Sequence, residues 1–449
     1  MPTVAVAGAG LVGALMALGL ANRGYEVTLI DMRPDMRQQK TKNLRSINLA
    51  VSDRGIRALE FVDKEMSERV LKDIIPMYGR MIHTRDGRQE SQKYGLFGEH
   101  INSIDRAELN ENLLDELEHH NSTADNKIEL VFNEKVGNLK FSDSGATLAL
   151  INTKSGNETN REFDFVVGAD GSFSAVRHLL QKNVRMNYTQ EYVDKCYLEL
   201  YIPPGPNGGF SIDANHLHIW PRGDFMLIAL ANADGSFTST FFGPWELTES
   251  LATSDASKIR EFFKENFPDA ADLIGLDNVV PVFQNNPKGA LMQVTCSQYH
   301  FSDKCIIIGD AAHSMVPFYG QGMNCGFEDV RTLLQLLDTK PTRKEAFNEY
   351  TATRHEDLKA ILKLALDNYN EMSTKVVSQA YLFRKTLDGL LGRVFPQSWI
   401  PLYTMVSFRG DIPYAEAIKR ENFQQRVLKW VEYGVLGACA YAAYTKFKK

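Results

Sequence analysis

The amino-acid sequence predicts an α/β fold in two interleaved parts, followed by a helical C-terminal region. Three observations predict it. An apolar strand at the amino terminus runs straight into Gly8-Ala9-Gly10-Leu11-Val12-Gly13. Two later apolar runs end in small-residue turns that carry an acid, Gly168-Ala169-Asp170-Gly171 and Gly309-Asp310. Between these two lie several strand-length segments bounded by turn residues, the pattern of an antiparallel sheet.

The chain has 449 residues, more than one typical domain, and 44% hydrophobic content supplies ample core. A net charge of -6 argues against nucleic-acid binding, which needs a basic face. The five cysteines (Cys196, Cys296, Cys305, Cys325, Cys439) are odd in number and widely spaced. They show no metal-ligand spacing, so reduced thiols and no metal are expected. The amino terminus enters a strand at Val4 with no basic or apolar leader before it, so a cleaved targeting peptide is not expected.

The first element is Val4–Ala7, short and valine-containing like a buried parallel strand. The glycine cluster follows, then a helix from Leu11 to Arg23 and a second strand, Glu26 to Ile30, that ends in Asp31. This is the context of a Rossmann-type dinucleotide cradle. Gly8 permits the tight turn, Gly10 lets backbone approach a pyrophosphate, and Gly13 lets the helix sit against the strand. Leu11 and Val12 open the helix, whose free N–H groups face the phosphates. Asp31 suits ribose hydroxyls and would repel a 2′-phosphate, which favours FAD or NAD over NADP.

The next motif, Asp164 to Gly171, is an apolar strand ending in a turn with exposed N–H groups and one acid, Asp170. The third begins with Lys304 to Asp310 and continues through His313 to Pro317-Phe318-Tyr319-Gly320-Gln321-Gly322-Met323-Asn324, where a helix starts. Its glycines allow backbone to pass close to a planar ring, and the helix amino terminus favours the negative charge of a reduced flavin. Asp310 suits ribitol or ribose hydroxyls, and His313 reads better as a structural residue than as a base. A plain NAD dehydrogenase has no use for the second and third motifs, whereas a long FAD does. With a single dinucleotide fingerprint, NADPH is expected to bind only transiently.

Strand-like runs at Cys196 to Ile202, His216 to Trp220, Phe225 to Ala231 and Phe237 to Phe242 form the second part. The expected organisation is an FAD-binding domain at 1–180, with substrate-side strands inserted near 76–104. A β-sheet substrate domain occupies 181–290, the second part of the FAD-binding domain 291–380, and the helical region 381–449. In that last region Tyr433 to Tyr444 carries no charge and is followed by Lys446, Lys448 and Lys449. The run is short for a span, which needs about 20 apolar residues, but its basic flank and tyrosines suit a membrane anchor.

The three glycine motifs together resemble those of the single-component FAD-dependent aromatic hydroxylases. Longer strings resemble one family among them, the kynurenine 3-monooxygenases: Arg45 to Ala50, Pro76 to His83, His216 to Arg222, Val316 to Asn324 and Ile400 to Val406. The resemblance covers nearly the whole chain. It implies NADPH- and FAD-dependent hydroxylation of L-kynurenine to 3-hydroxy-L-kynurenine with O2, through a flavin C4a-hydroperoxide, in tryptophan degradation and NAD biosynthesis. It implies that Arg80 pairs with the kynurenine carboxylate and that Tyr94 hydrogen-bonds the same group. Asn368 and Tyr403 then stand near the amino-acid end, and Phe318 walls the aromatic pocket. Arg45, Asn48 and Arg106 match cofactor-side positions, alongside Gly320, Gly322, Met323 and Asn324. No obligate side-chain acid or base is implied. The resemblance also implies the mitochondrial outer membrane, with the catalytic part facing the cytosol. Two alternatives stay open: a flavin hydroxylase of another aromatic acid, and an inactive flavin-binding scaffold.

Overall fold

A computed structural model describes residues 1–38, 48–95, 97–374, 376 and 378–447. The strand Thr3–Ala7 lies inside a six-stranded sheet, flanked in parallel by Phe165–Gly168 and Glu26–Asp31. Cys305–Ile307 and Glu129–Phe132 extend it in parallel on either side, and His300–Phe301 closes one edge antiparallel. All three acid-bearing turns therefore leave the same end of neighbouring strands, where open α/β sheets bind ligands. Valines and isoleucines buried on both faces explain why these strands carry no alternation.

The second large sheet has seven strands, in the order 289–296, 188–202, 237–243, 226–231, 216–221, 79–83 and 89–93. It is antiparallel except where His216–Pro221 runs parallel to Gly79–His83. Its alternation sorts side chains cleanly. Met226, Ile228, Leu230 and Phe242 face the core shared with the glycine motifs. Leu227, Ala229, Ala231, Phe237 and Phe241 face a separate core. That second core is closed by four helices between Trp245 and Asn285, which carry Ile259, Phe263, Phe267 and Phe283.

Two details differ from the expected organisation. Strand Gly289–Cys296, across the expected boundary at 290, pairs with Tyr188–Tyr197 in the seven-stranded sheet. In the inserted segment only Gly79–Lys93 joins that sheet, while Ile101–Ile104 pairs with Leu49–Val51 and Ile75–Met77 in a three-stranded sheet of its own. Sequence alternation gives strand identity but not strand partners, and pairing decides both cases.

Helices Arg343–Ser373, Gln379–Val394, Leu402–Ser407 and Tyr414–Phe447 form the C-terminal region. Among the described residues no helix is long and apolar enough to cross a membrane.

Candidate functional site

The nucleotide cradle is built by glycines in contact. Gly8 adopts φ +102°, and a Cβ there would lie 2.4 Å from the Ala169 carbonyl oxygen. A Cβ on Gly13 would lie 1.8 Å from the Gly8 oxygen. The first and second motifs thus touch through backbone, and only glycine permits it. Gly10 is different, because nothing lies within 4 Å of where its Cβ would stand. The helix Leu11–Ala21 has no side-chain cap, so its first N–H groups face that open space.

Asp31 is buried and accepts from the Ala9 N–H at 2.8 Å. Arg33 caps its other side through Nε at 3.0 Å, a contact the sequence reading did not anticipate although Arg33 lies only two residues on. Arg106 is exposed at the first position of helix Arg106–Thr123, one turn before Asn110. Asn110 donates to the Ala9 carbonyl at 3.3 Å, so Arg106 stands beside the glycine loop. Arg45 lies outside the described residues.

Asp170 departs from its expected role. Its carboxylate accepts from the Ser174 hydroxyl and from the Val176 N–H, the latter at 3.1 Å, at the start of helix Ala175–Leu180, which Ser174 caps. Burial raises the Asp170 carboxyl above the usual range. The second motif contributes packing and backbone rather than a free acid. Asp310 is half-buried, and among the described residues its carboxylate makes no side-chain hydrogen bond, a disposition open to sugar hydroxyls.

The third motif is held in place by side chains. Asn324, fully buried, donates to the carbonyls of Ala50 and Gly320 at 2.7 Å each and accepts from the Ser52 N–H at 2.8 Å. Its side chain therefore locks the loop. Gly320 takes φ +66°, and helix Gly322–Thr339 begins without a side-chain cap. The first-turn N–H groups of Gly322, Met323 and Asn324 are thereby free of helical acceptors. Asn48 donates to Asn232 at 2.5 Å, while its own carbonyl oxygen is buried and unpartnered. The buried His313 is paired with Asp329, which also accepts from the Gly309 N–H at 3.0 Å, so His313 helps fix the loop.

An open Gly10, two uncapped helix amino termini and an Asp310 carboxylate without a side-chain hydrogen bond among the described residues fit an extended dinucleotide.

A second cluster lies where the seven-stranded sheet meets the C-terminal helices. Arg80, buried on strand Gly79–His83, pairs through Nη1 with Glu371 at 2.9 Å. Its guanidinium sits 5.0 Å from the Tyr403 ring centroid and 5.9 Å from that of Tyr94. Tyr94 and Tyr403 stack at 5.0 Å, and Tyr319 stacks on Tyr403 at 5.6 Å. Among the described residues the buried Arg80 Nε and Tyr94 hydroxyl make no well-formed hydrogen bond, although the hydroxyl lies near enough to Arg80 and Tyr403 to interact with both. Such orphans are rare in native proteins and point to an absent acceptor. Asn368 gives its amide to the Phe318 carbonyl at 2.6 Å, so it holds the pocket wall. Phe318 in turn packs on Tyr369 at 4.5 Å and Phe242 at 5.2 Å.

Burial by itself would raise the Glu371 carboxyl, but Arg80 and the Tyr381 hydroxyl outweigh it and hold the group below the usual range. Burial pushes Lys385 on the neighbouring helix down to about 8, and the Arg80 charge adds to the effect. Glu371, Tyr381, Tyr319 and Lys385 carry no assigned role in the motifs read from the sequence. The spacing of Glu371 from Asn368, three residues along one helix, was the available signal.

Comparison with known proteins agrees with this geometry. The model of an FAD binding domain family matches residues 1–365. The tetrameric 2-methyl-3-hydroxypyridine-5-carboxylic acid oxygenase superposes with TM-score 0.67 at 17% identity, covering 85% of this chain and 95% of that one. Pseudomonas aeruginosa PqsL, solved with 2-aminobenzoylacetate, superposes with TM-score 0.65 at 18% identity over 83% of this chain and 97% of its own. Fold and cradle thus define an FAD-binding protein of this domain family. Kynurenine 3-monooxygenase of Candida albicans is 56% identical over 444 residues, 98% of this chain and 95% of that protein. The Saccharomyces cerevisiae enzyme is 50% identical over 464 residues, 99% and 98% of the two chains. The chain belongs to the kynurenine 3-monooxygenase family.

Proposed function

We propose that this protein hydroxylates L-kynurenine at the ring carbon beside its amine, consuming NADPH and O2. The observation that carries the reading is the pair of buried donors, Arg80 Nε and the Tyr94 hydroxyl, without a well-formed hydrogen bond among the described residues and beside an aromatic wall. A planar guanidinium with an adjacent phenol matches a carboxylate bonded through both oxygens. When bound, FAD supplies the electron transfer and the activation of dioxygen. The protein does the rest by position. Arg80 and Tyr94 anchor the carboxylate end, Asn368 fixes the Phe318 wall through its backbone, and Phe318 and Phe242 keep water from the ring. The aniline nitrogen of the substrate itself drives electrons into the ring, so no side-chain nucleophile is needed. The glycine loops hold the dinucleotide by N–H groups, and the uncapped amino terminus at Gly322 favours negative charge on the ring end.

The test is NADPH oxidation by FAD-loaded protein with and without L-kynurenine, with product mass measured. Stimulated oxidation and a gain of one oxygen are expected. Stimulation with peroxide as the sole product would redirect the search to another aromatic acid. No stimulation in protein that keeps its FAD would favour a scaffold.

The location proposed is the mitochondrial outer membrane, with the catalytic part in the cytosol. Support comes from the helix Tyr414–Phe447, where Phe423, Trp430, Tyr433, Tyr441 and Tyr444 are exposed. At 100° per residue these five fall within about 80° of arc, which suits a helix lying in an interface. Replacing Phe423, Trp430 and Tyr433 by serine is expected to abolish sedimentation with phospholipid vesicles while turnover persists. Undiminished sedimentation would remove this helix from membrane contact.

A further inference from the structure

We infer that the buried His83 is held as an imidazolium, and that its second proton is a latch fastening the helices between Trp245 and Asn285 to the seven-stranded sheet. The residues lie on the face of that sheet that packs on the separate core, away from the glycine motifs. His83 Nδ1 stands 2.5 Å from Oδ2 of Asp269, on helix Pro268–Ile274. His83 Nε2 stands 2.8 Å from Nδ1 of the buried His218, on strand His216–Pro221. His218 Nε2 stands 2.7 Å from the Asp213 carbonyl oxygen. The Trp220 indole N–H donates to the other Asp269 oxygen at 2.9 Å. One hydrogen-bonded chain thus joins a helix of the second core to two strands and the loop before one of them.

The proton count follows from donors and acceptors. A carbonyl oxygen only accepts, so His218 carries a proton on Nε2. Burial pushes His218 down to about 4, which keeps its ring neutral and makes its Nδ1 an acceptor. His83 therefore donates from Nε2. Its Nδ1 faces Asp269. Burial by itself would raise that carboxyl, but the hydrogen bonds from His83 and Trp220 outweigh it and hold the group below the usual range. An ionised carboxylate only accepts, so His83 donates from Nδ1 as well and its ring is positive. A buried charge needs such a partner, and the ring also stacks on the Trp220 indole at 4.0 Å, whose face favours a cation.

The charged groups on the surrounding elements are engaged elsewhere. Arg222 donates from Nη1 to the His83 carbonyl at 3.0 Å and from Nε to the Asn266 carbonyl at 2.5 Å. Arg85 bonds the Asn266 side chain and lies 3.7 Å from Glu265. His216 meets the Asp213 carboxylate and the Ser91 hydroxyl, and strand Gln89–Lys93 sets the uncharged Gln89 opposite His83. Loss of the second proton would turn a nitrogen lone pair towards a carboxylate. An unfolded histidine gives up its proton near about pH 6.5. Above that value the folded state holds one proton more, so the latch loses strength as pH rises. Strand Gly79–His83 carries Arg80 on its other face, so the latch also backs the strand that the candidate site uses.

The test uses the full-length FAD-loaded protein with isotope-labelled histidine ring nitrogens, read by NMR and assigned by loss of signals in His83→Gln and His218→Gln. At neutral pH His83 is expected to show two protonated nitrogens and His218 one. The second readout is protease cleavage within residues 245–285, relative to an unstructured peptide at each pH, because cleavage tracks local opening. In wild type it is expected to quicken as pH rises, by up to about tenfold per unit, the limit for one proton. Asp269→Asn presents an amide that donates to a neutral Nδ1 and still accepts from Trp220, so each hydrogen bond is kept without the second proton. That variant is expected to show one protonated nitrogen on His83 and a cleavage rate independent of pH. A singly protonated His83 in wild type at neutral pH would overturn the inference. So would the same pH dependence of cleavage in wild type and Asp269→Asn. Should the variant fail to fold, the wild-type nitrogen signals decide alone.

Discussion

The Tyr94 hydroxyl is a buried polar atom with no well-formed hydrogen bond among the described residues, and leaving such a group unpaired costs about 1–3 kcal/mol. Its removal separates stability from function. Tyr94→Phe is expected to leave the ligand-free melting temperature unchanged or raised, while the kynurenine KM increases about tenfold. A lowered melting temperature with unchanged KM would mean that the hydroxyl has a structural partner instead. Arg80 behaves differently, because its loss strands Glu371 and takes the guanidinium from beside the stacked Tyr94 and Tyr403 rings. Arg80→Ala should raise KM by about 100-fold or more, the scale of a lost buried charge pair, with FAD still bound. An unchanged kynurenine affinity in that variant would take Arg80 out of the site.

At the scale of elements, two glycines of one motif make opposite predictions. The space beside Gly10 is open, whereas a Cβ on Gly13 would collide with the Gly8 oxygen at 1.8 Å. Gly10→Ala is therefore expected to fold with the apoprotein stability of wild type and to lose FAD affinity. Gly13→Ala is expected to destabilise the apoprotein as well, because the helix Leu11–Ala21 must move off the strand. Thermal melts of FAD-stripped and FAD-loaded protein measure both. Equal destabilisation of the two apoproteins would show that Gly10 too is a packing residue rather than an opening for pyrophosphate.

Across the whole molecule, a buried ion network joins the cofactor loop to the C-terminal helices. Glu328 pairs with Arg54 at 2.8 Å and with Arg354 at 2.9 Å, and Arg354 also holds Asp329 at 2.8 Å. Arg54 donates to the carbonyl of Val406 at 2.9 Å, on the helix that carries Tyr403. The Tyr414 hydroxyl reaches Gln321 in the cofactor loop at 3.0 Å. Substrate helix and cofactor loop are thus fastened to the same charges. Burial would raise the Asp329 carboxyl, but His313 and Arg354 outweigh it and bring it down to about 2. A folded value below the unfolded one, near 3.9, means stability that is full above the unfolded value and is lost as pH falls towards 2. Its size is roughly 2 kcal/mol by linkage. Urea midpoints of wild type are expected to fall between pH 5 and pH 3, and in Asp329→Asn this group's share of the slope disappears. An unaltered slope would assign the acid sensitivity elsewhere.

Much of this was legible in the chain itself. Gly8 to Gly13 between two apolar strands, with Asp31 closing the second, determines a dinucleotide cradle, because backbone sterics at those positions admit little else. The strand-length runs from Cys196 to Phe242, bounded by turn residues, determine a sheet, and packing then buries it on both faces. Local pattern does not report pairing, so the partner of strand Gly289–Cys296 and the separate sheet of Ile101–Ile104 had to come from the fold. Nor does it report where a carboxylate is spent. Asp170 and Asp310 look alike in sequence, yet one is spent on Ser174 and the Val176 N–H while the other makes no side-chain hydrogen bond among the described residues. The Arg80–Glu371 pair spans 291 positions of chain, a separation that no motif records. Local sterics and periodicity belong to the sequence, whereas charge pairing across distant segments exists only once the sheet and the C-terminal helices have packed.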